Sequence, residues 1–302
     1  MDGAHEPVLW PLVLWAGRVW WPCRGRSRGA IRRSLTRAGG SWARAPPWSR
    51  TGGLSEVAVT VRFVGSGDSF GSGGRFQTCI LVDGPRSRFA IDFGASSLIA
   101  LAQQGVQHNS IDAILLTHLH GDHCGGVPFL LIDAMLSAKR TRPLIIAGPR
   151  DLRGRMGQIQ EALFPGSHVM APKFSLEWVE LEPGRPHQLL DLTVTAQPAR
   201  HTEETHPLAL RVEVAGKVVA YTGDTEWTDD IAKVAHGADL FIAECYFYDK
   251  PVKWHLNYPV IAAHRSEFGA KRVILTHMSK EMLALIDRVP EECARDGLVV
   301  GV

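Results

Sequence analysis

An α/β fold is expected for this chain of 302 residues, on three observations. Short apolar or alternating stretches that read as strands recur between Val57 and Ser279. Helix-like stretches at Ser97–Gln104, Val127–Ser137 and Asp151–Leu163 fall among them. Several strand stretches run out into His, Asp or Glu rather than into plain turn residues, which puts groups capable of chemistry at strand ends.

The elements follow in order. Val57–Val64 alternates as a strand. The glycine-rich stretch 65–75 lacks the Lys-Ser/Thr of a phosphate-binding loop and is followed by another strand, Thr78–Val82, so a hairpin is expected. Arg88–Gly94 is a third strand, and the helix over Ser97–Gln104 is stopped by Gly105. Further strands are expected at Ile111–Leu116, Leu144–Gly148, Phe174–Leu181, Leu192–His201, Lys217–Thr225, Ala238–Cys245 and Arg272–Ser279.

The hydrophobic fraction of 45% and charged fraction of 21% are those of a globular protein, and no uncharged apolar run approaches a membrane span. Five cysteines, at 23, 79, 124, 245 and 293, form no Cys-x-x-Cys pair. That pattern suits a reducing compartment, and a cytoplasmic location is expected. The net charge of +2 hides an asymmetry. Residues 1–54 carry nine Arg and no Lys against Asp2 and Glu6, and six of the nine Trp, with no sustained periodicity. They are expected to be a disordered extension, with an organellar presequence as the alternative. Residues 55–302, with 24 basic and 29 acidic side chains, would form the catalytic domain.

The chemistry centres on Thr117-His118-Leu119-His120-Gly121-Asp122-His123, directly after the apolar run Ala113–Leu116. If strand geometry persists, His118 and His120 point to one side. Gly121 would let the backbone turn and bring Asp122 and His123 into the same pocket. Imidazole nitrogens with a carboxylate oxygen suit Zn2+ or a similar dication. The competing reading, a solvated His-rich loop, is disfavoured because such groups behind a buried strand repel one another without a metal.

Thr-His-x-His-x-Asp-His resembles the signature of the metallo-β-lactamase superfamily, and from Val57 onward the chain is most similar to its ribonuclease Z branch. The resemblance implies a four-layer αββα sandwich with the site at one edge, between two sheets. It implies His118, His120 and His201 on one metal, Asp122, His123 and His277 on another, and Asp224 bridging. His201 stands at a strand end; His206 is the alternative. Seven ligands exceed the needs of one tetrahedral ion, so two Zn2+ (Mn2+ or Fe2+ as alternatives) about 3.5–4 Å apart are expected, sharing a water or hydroxide. Asp92, beneath the metal loop, would orient it without ligating. Asp122, Glu244 and His255 are the catalytic candidates, with Glu244 and His255 pairing to protonate a leaving oxygen. The sequence departs from the branch here, reading His255-Leu256-Asn257 where His-Ser-Thr is usual, and the alternative is a surface histidine near Trp254 and Tyr258. Ser66, Ser69 and Arg75, in the glycine loop, could face the substrate.

The expected function is a dinuclear phosphodiesterase. The alternatives are hydrolysis of a lactone, sulfate ester or β-lactam, and a non-enzymatic metal-holding protein. A small or short phosphodiester is the expected substrate. No segment between Pro149 and Gln197 is left over for a tRNA-gripping arm, and an acidic domain opposes a polyanion. A homodimer is compatible with the resemblance. His108, His168, His187, His236 and His264 match no position of the branch and are expected at the surface or satisfied in the core.

Overall fold

The computed structural model describes residues 59–167 and 169–302. The expected extension, the first residues of the opening strand and His168 lie outside the described residues. Strands β1 (Thr60–Gly65), β2 (Cys79–Asp83), β3 (Arg88–Ile91), β4 (Ala113–Leu115), β5 (Leu144–Gly148) and β6 (Leu176–Glu180) build one sheet. Strands β7 (Pro186–Leu189), β8 (Leu192–Pro198), β9 (Leu208–Val214), β10 (Lys217–Tyr221), β11 (Leu240–Glu244), β12 (Val273–Thr276) and β13 (Glu292–Cys293) build the other. β14 (Val299–Gly301) returns to pair with β1, so each sheet has seven strands among the described residues.

Alternation along the strands sorts their side chains into separate cores, as a period of two requires. Ile80 and Val82 of β2, and Phe89 and Ile91 of β3, meet Leu240 and Ile242 of β11 and Tyr221 of β10 in a central core between the sheets. Their neighbours Leu81 and Ala90 point outward to an α-helical layer. That layer contains α1 (Ser97–Gln103), the short α2 (Gly121–Cys124), α3 (Val127–Leu136) and α4 (Leu152–Leu163). Phe241 and Ala243 of β11 face a second helical layer with α5 (Asp229–Ala235), α6 (Tyr258–Ala263) and α7 (Lys280–Leu283). Three cores between four layers make the expected αββα sandwich. Each fully buried Phe or Ile in them contributes about 1.5–3 kcal/mol relative to exposure.

Both sheets are antiparallel on one side and parallel on the other: β3 to β6 are parallel in the first, β10 to β13 in the second. The carboxyl ends of the parallel strands carry the candidate site. Asp92 follows β3, the histidine motif follows β4, and Asp224, Glu244 and His277 stand at or just beyond the ends of β10, β11 and β12. The connection between β5 and β8 is occupied by α4, β6 and β7, and no helix among the described residues is long and apolar enough to cross a membrane.

Most expected elements are present with ends shifted by a few residues. The strand expected to end at His201 stops at Pro198, and the one expected through Ser279 stops at Thr276. β7, β9, β13, β14, α2, α5, α6 and α7 were not expected; β9 (seven residues) alternates with its buried face inward, and the others are shorter or helical. Strands of two to four residues and helices of four to seven are too short to show a period.

Candidate metal centre and active site

The histidine motif does not continue the strand. β4 ends at Leu115, and His120, extended at φ −79° and ψ 153°, precedes α2. Gly121 therefore makes no left-handed turn; it opens the helical turn that carries Asp122 and His123 back to the site. Gly94 makes room for this loop, because a Cβ there would stand 2.2 Å from the Asp122 carbonyl oxygen. The backbone N–H of Phe93 donates to the His123 carbonyl at 2.6 Å, and that of Gly126 to the Phe93 carbonyl at 2.9 Å.

Asp92 orients the loop, as expected. Its Oδ1 accepts the Thr117 backbone N–H at 2.8 Å, and its Oδ2 takes His123 Nδ1–H at 2.6 Å. The Thr117 hydroxyl donates to Asp92 and lies 3.1 Å from His118 Nδ1. His118 Nε2 and His123 Nε2 are thereby left facing the pocket. Asp92 has φ 58°, a conformation that Asp tolerates better than most residues.

Two donor groups carry the expected ligands among the described residues, and a third overlaps the second, joining Asp224 and His277 to Glu244 and His255. In the first, His118 Nε2 lies 3.1 Å from His120 Nδ1, and His120 Nδ1 lies 3.1 Å from His201 Nε2. Nitrogens on a tetrahedral Zn2+ at 2.0–2.1 Å would be about 3.3 Å apart. His201 is turned by its Nδ1–H, which donates to the Trp254 carbonyl at 2.9 Å. Burial holds all three imidazoles below their ordinary values, His118 well below and His201 at about 4, so they stand in the neutral form that ligates. His206 is not in this group. It sits at φ 48° beside Arg150, with its Nε2 3.3 Å from the guanidinium.

The second group joins Asp122, His123, Asp224 and His277. His123 Nε2 lies 3.2 Å from Asp122 Oδ2, 3.3 Å from His277 Nε2 and 3.4 Å from Asp224 Oδ1. His277 Nε2 is 3.2 Å from Asp122 Oδ2 and 3.4 Å from Asp224 Oδ2. These distances also suit four donors around one small ion. Burial works against charge on every member, yet the carboxylates raise both imidazoles, His123 strongly, and the imidazoles hold both carboxylates well below the usual range. Two buried anions thus demand positive charge, which a dication held by these donors would supply. Asp224 Oδ1 and His277 Nδ1 are buried without a hydrogen-bond partner. Asp224 Oδ2 is also 3.9 Å from His118 Nε2, so this carboxylate reaches both groups. Gly223, at φ 60°, precedes it where a Cβ would stand 2.8 Å from the Leu208 carbonyl.

Glu244 is fully buried and accepts the backbone N–H of Thr225. Its Oε2 takes His255 Nδ1–H at 2.8 Å. Burial would lower the His255 pKa, but the Glu244 carboxylate outweighs it and raises the imidazolium to about 9. The Tyr246 ring stacks on His255 at 4.7 Å between centroids, and His255 stacks on His277 at 5.8 Å.

The glycine loop behaves differently from expectation. Ser66 is buried, and its backbone N–H and hydroxyl donate to Asp296 at 2.9 and 2.8 Å. Arg75 donates to the Ala294 carbonyl at 2.6 Å. Both tie the loop to the C-terminal segment instead of facing substrate; Ser69 is exposed. Of the histidines without an expected role, His108 pairs with Asp133, His187 accepts the Glu182 N–H, and His264 stacks on Trp227 at 3.7 Å. Sequence reasoning missed Tyr246 and Trp254, whose signal was adjacency to Glu244 and His255. Trp254 borders a cavity of about 610 Å³ that also reaches His201.

Fold and clustered donors together define a class, the metal-dependent hydrolases of the metallo-β-lactamase fold. The chain belongs to the β-lactamase superfamily, whose domain matches residues 87–278. It is similar to ribonuclease Z of Lachnoclostridium phytofermentans, with 24% identity over 263 residues, 69% of this chain and 84% of that protein. Among solved structures it resembles the metallo-β-lactamase fold protein YhfI of Bacillus subtilis, with a TM-score of 0.65 and 23% identity, over 82% of this chain and all of that one. The short form of human tRNase Z superposes with a TM-score of 0.64 and 23% identity, over 80% of this chain and 98% of that one.

Proposed function

We propose that this chain is a dinuclear zinc-dependent phosphodiesterase acting on small or short phosphodiesters. His118, His120 and His201 hold one ion, Asp122, His123 and His277 the other, and Asp224 serves both; Mn2+ or Fe2+ could replace Zn2+ in this donor set. Bound there, the ions would supply an activated water at neutral pH and charge stabilisation for a developing oxyanion. All seven donors come from one chain, so metal binding calls for no partner subunit.

The observation that carries the phosphodiesterase reading is the Glu244–His255 hydrogen bond at 2.8 Å beside the second donor group. Glu244 fixes the tautomer and keeps the imidazole protonated, which leaves Nε2–H to be donated to the departing oxygen. The similarity to ribonuclease Z supports the same reaction class. The cavity at His201 is lined by Arg200 and Lys253 against Glu203, Glu204, Glu226 and Asp230, an excess of anions that favours a short substrate over a long polyanion. The test is turnover by the metal-loaded chain of bis(p-nitrophenyl) phosphate against a lactone, an aryl sulfate and a β-lactam. The phosphodiester should be the best substrate by kcat/KM. Brisk hydrolysis of one of the others, with none of the phosphodiester, would replace this reading.

A further inference from the structure

We infer that Trp254 is a stacking platform for the base of a nucleotide substrate, which makes the substrate class a short, base-bearing phosphodiester; the second half of this inference rests on the phosphodiesterase reading. Trp254 directly precedes His255 and has φ 73°, a left-handed conformation that a bulky residue rarely adopts. Glycine or asparagine would take this backbone with less strain, yet the position carries an indole. Two hydrogen bonds hold it there. Its backbone N–H donates to Glu226 Oε1 at 2.8 Å, and its carbonyl accepts His201 Nδ1–H at 2.9 Å. The platform is therefore fixed to a candidate metal ligand through its own backbone, and neither of these hydrogen bonds uses the indole.

Trp254 is 38% exposed and borders the cavity of about 610 Å³ that opens beside His201. Its ring centroid is 6.2 Å from that of His201, so a group bound at the metal centre lies within reach of the aromatic face. The Lys253 ammonium stands 4.3 Å over one face of the same ring, a cation–π contact that leaves only the opposite face for a base, and Lys253 also borders the cavity. Glu203, Glu204, Glu226 and Asp230 around the cavity offer acceptors to the N–H groups of a base. The volume falls within the range of small-molecule sites and suits one nucleotide rather than a strand. The competing reading is that Trp254 only packs on His201 and shelters its hydrogen bond.

The test is calorimetric binding of adenosine 5′-monophosphate and of ribose 5-phosphate to the metal-loaded full chain, with Trp254→Phe and Trp254→Ala alongside and metal content measured for each. Stacking of one base corresponds to about a 5- to 150-fold gain. The wild type should bind the nucleotide tighter than the sugar phosphate by that order. Trp254→Ala should erase the difference without weakening ribose 5-phosphate, and Trp254→Phe should keep most of it. Equal affinities in the wild type, or equal weakening of both ligands in Trp254→Ala, would overturn the platform. Turnover separates the two claims: the p-nitrophenyl ester of thymidine 5′-monophosphate should exceed methyl p-nitrophenyl phosphate in kcat/KM, and Trp254→Ala should level them. Hydrolysis of neither ester, with the binding difference intact, would refute the phosphodiesterase reading and leave the platform standing. Hydrolysis of both equally, with equal binding, would do the reverse.

Discussion

Asp92 Oδ2 lies 2.6 Å from His123 Nδ1, and the same carboxylate takes the backbone N–H of Thr117, so one buried anion holds both ends of the histidine loop. The two functions are separable from ligation, because Asp92 belongs to neither donor group. Asp92→Asn preserves the size and tolerates φ 58°, but it removes the charge that fixes the His123 tautomer. Metal affinity should fall about 10- to 100-fold, the cost typical of losing such a supporting hydrogen bond. Chelator competition measures it; an unchanged affinity would mean that the loop is held by its backbone alone.

Asp224 reaches both donor groups, with Oδ1 3.4 Å from His123 Nε2 and Oδ2 3.9 Å from His118 Nε2. Elemental analysis of protein purified without chelator should find close to two ions per chain. Asp224→Ala should lose the second ion, whereas His264→Ala, whose histidine stacks on Trp227 away from the donors, should keep both. A value of one ion with full activity would contradict the dinuclear arrangement.

The His255 imidazolium, raised to about 9, keeps its proton below that pH and loses it above. For substrates with an alkoxide leaving group, kcat/KM should fall as pH rises through about 9, since this profile reports the free enzyme's acid. Glu244→Gln removes the main raising interaction while burial still lowers the value, so the falling limb should move to lower pH. A limb that stays in place in Glu244→Gln would assign it to another group.

Several of the clustered donors stand just beyond strand ends, as His277 follows Val273–Thr276 and Asp224 follows Lys217–Tyr221, but it is the resemblance to the metallo-β-lactamase signature that singles them out as ligands. The role of Ser66 and Arg75 is not local. It depends on Asp296 and Ala294, more than 200 positions away, which nothing in residues 65–75 announces. Gly121 does let the backbone turn and bring Asp122 and His123 to the site, as expected, but that the turn is the first of a short helix is not written in the glycine itself. The preference for His201 over His206 could be stated from strand ends, but the geometry behind it could not: His206 turns away at φ 48° toward Arg150. Trp254 shows the same limit, since no residue pattern encodes a tryptophan at φ 73°.

The central claim is that His255, held by Glu244, protonates the leaving oxygen of a phosphodiester at a metal-loaded site. Its value must then depend on how badly that oxygen leaves: an alkoxide needs the proton in the transition state, and p-nitrophenolate hardly does. The most direct measurement is kcat/KM of His255→Ala relative to wild type on a dinucleotide and on bis(p-nitrophenyl) phosphate, with metal content determined for both proteins. The account predicts a loss of about 10²–10⁴ on the dinucleotide, far less on the activated ester, and unchanged metal. Equal losses on the two substrates would contradict it and reduce His255 to a positional role.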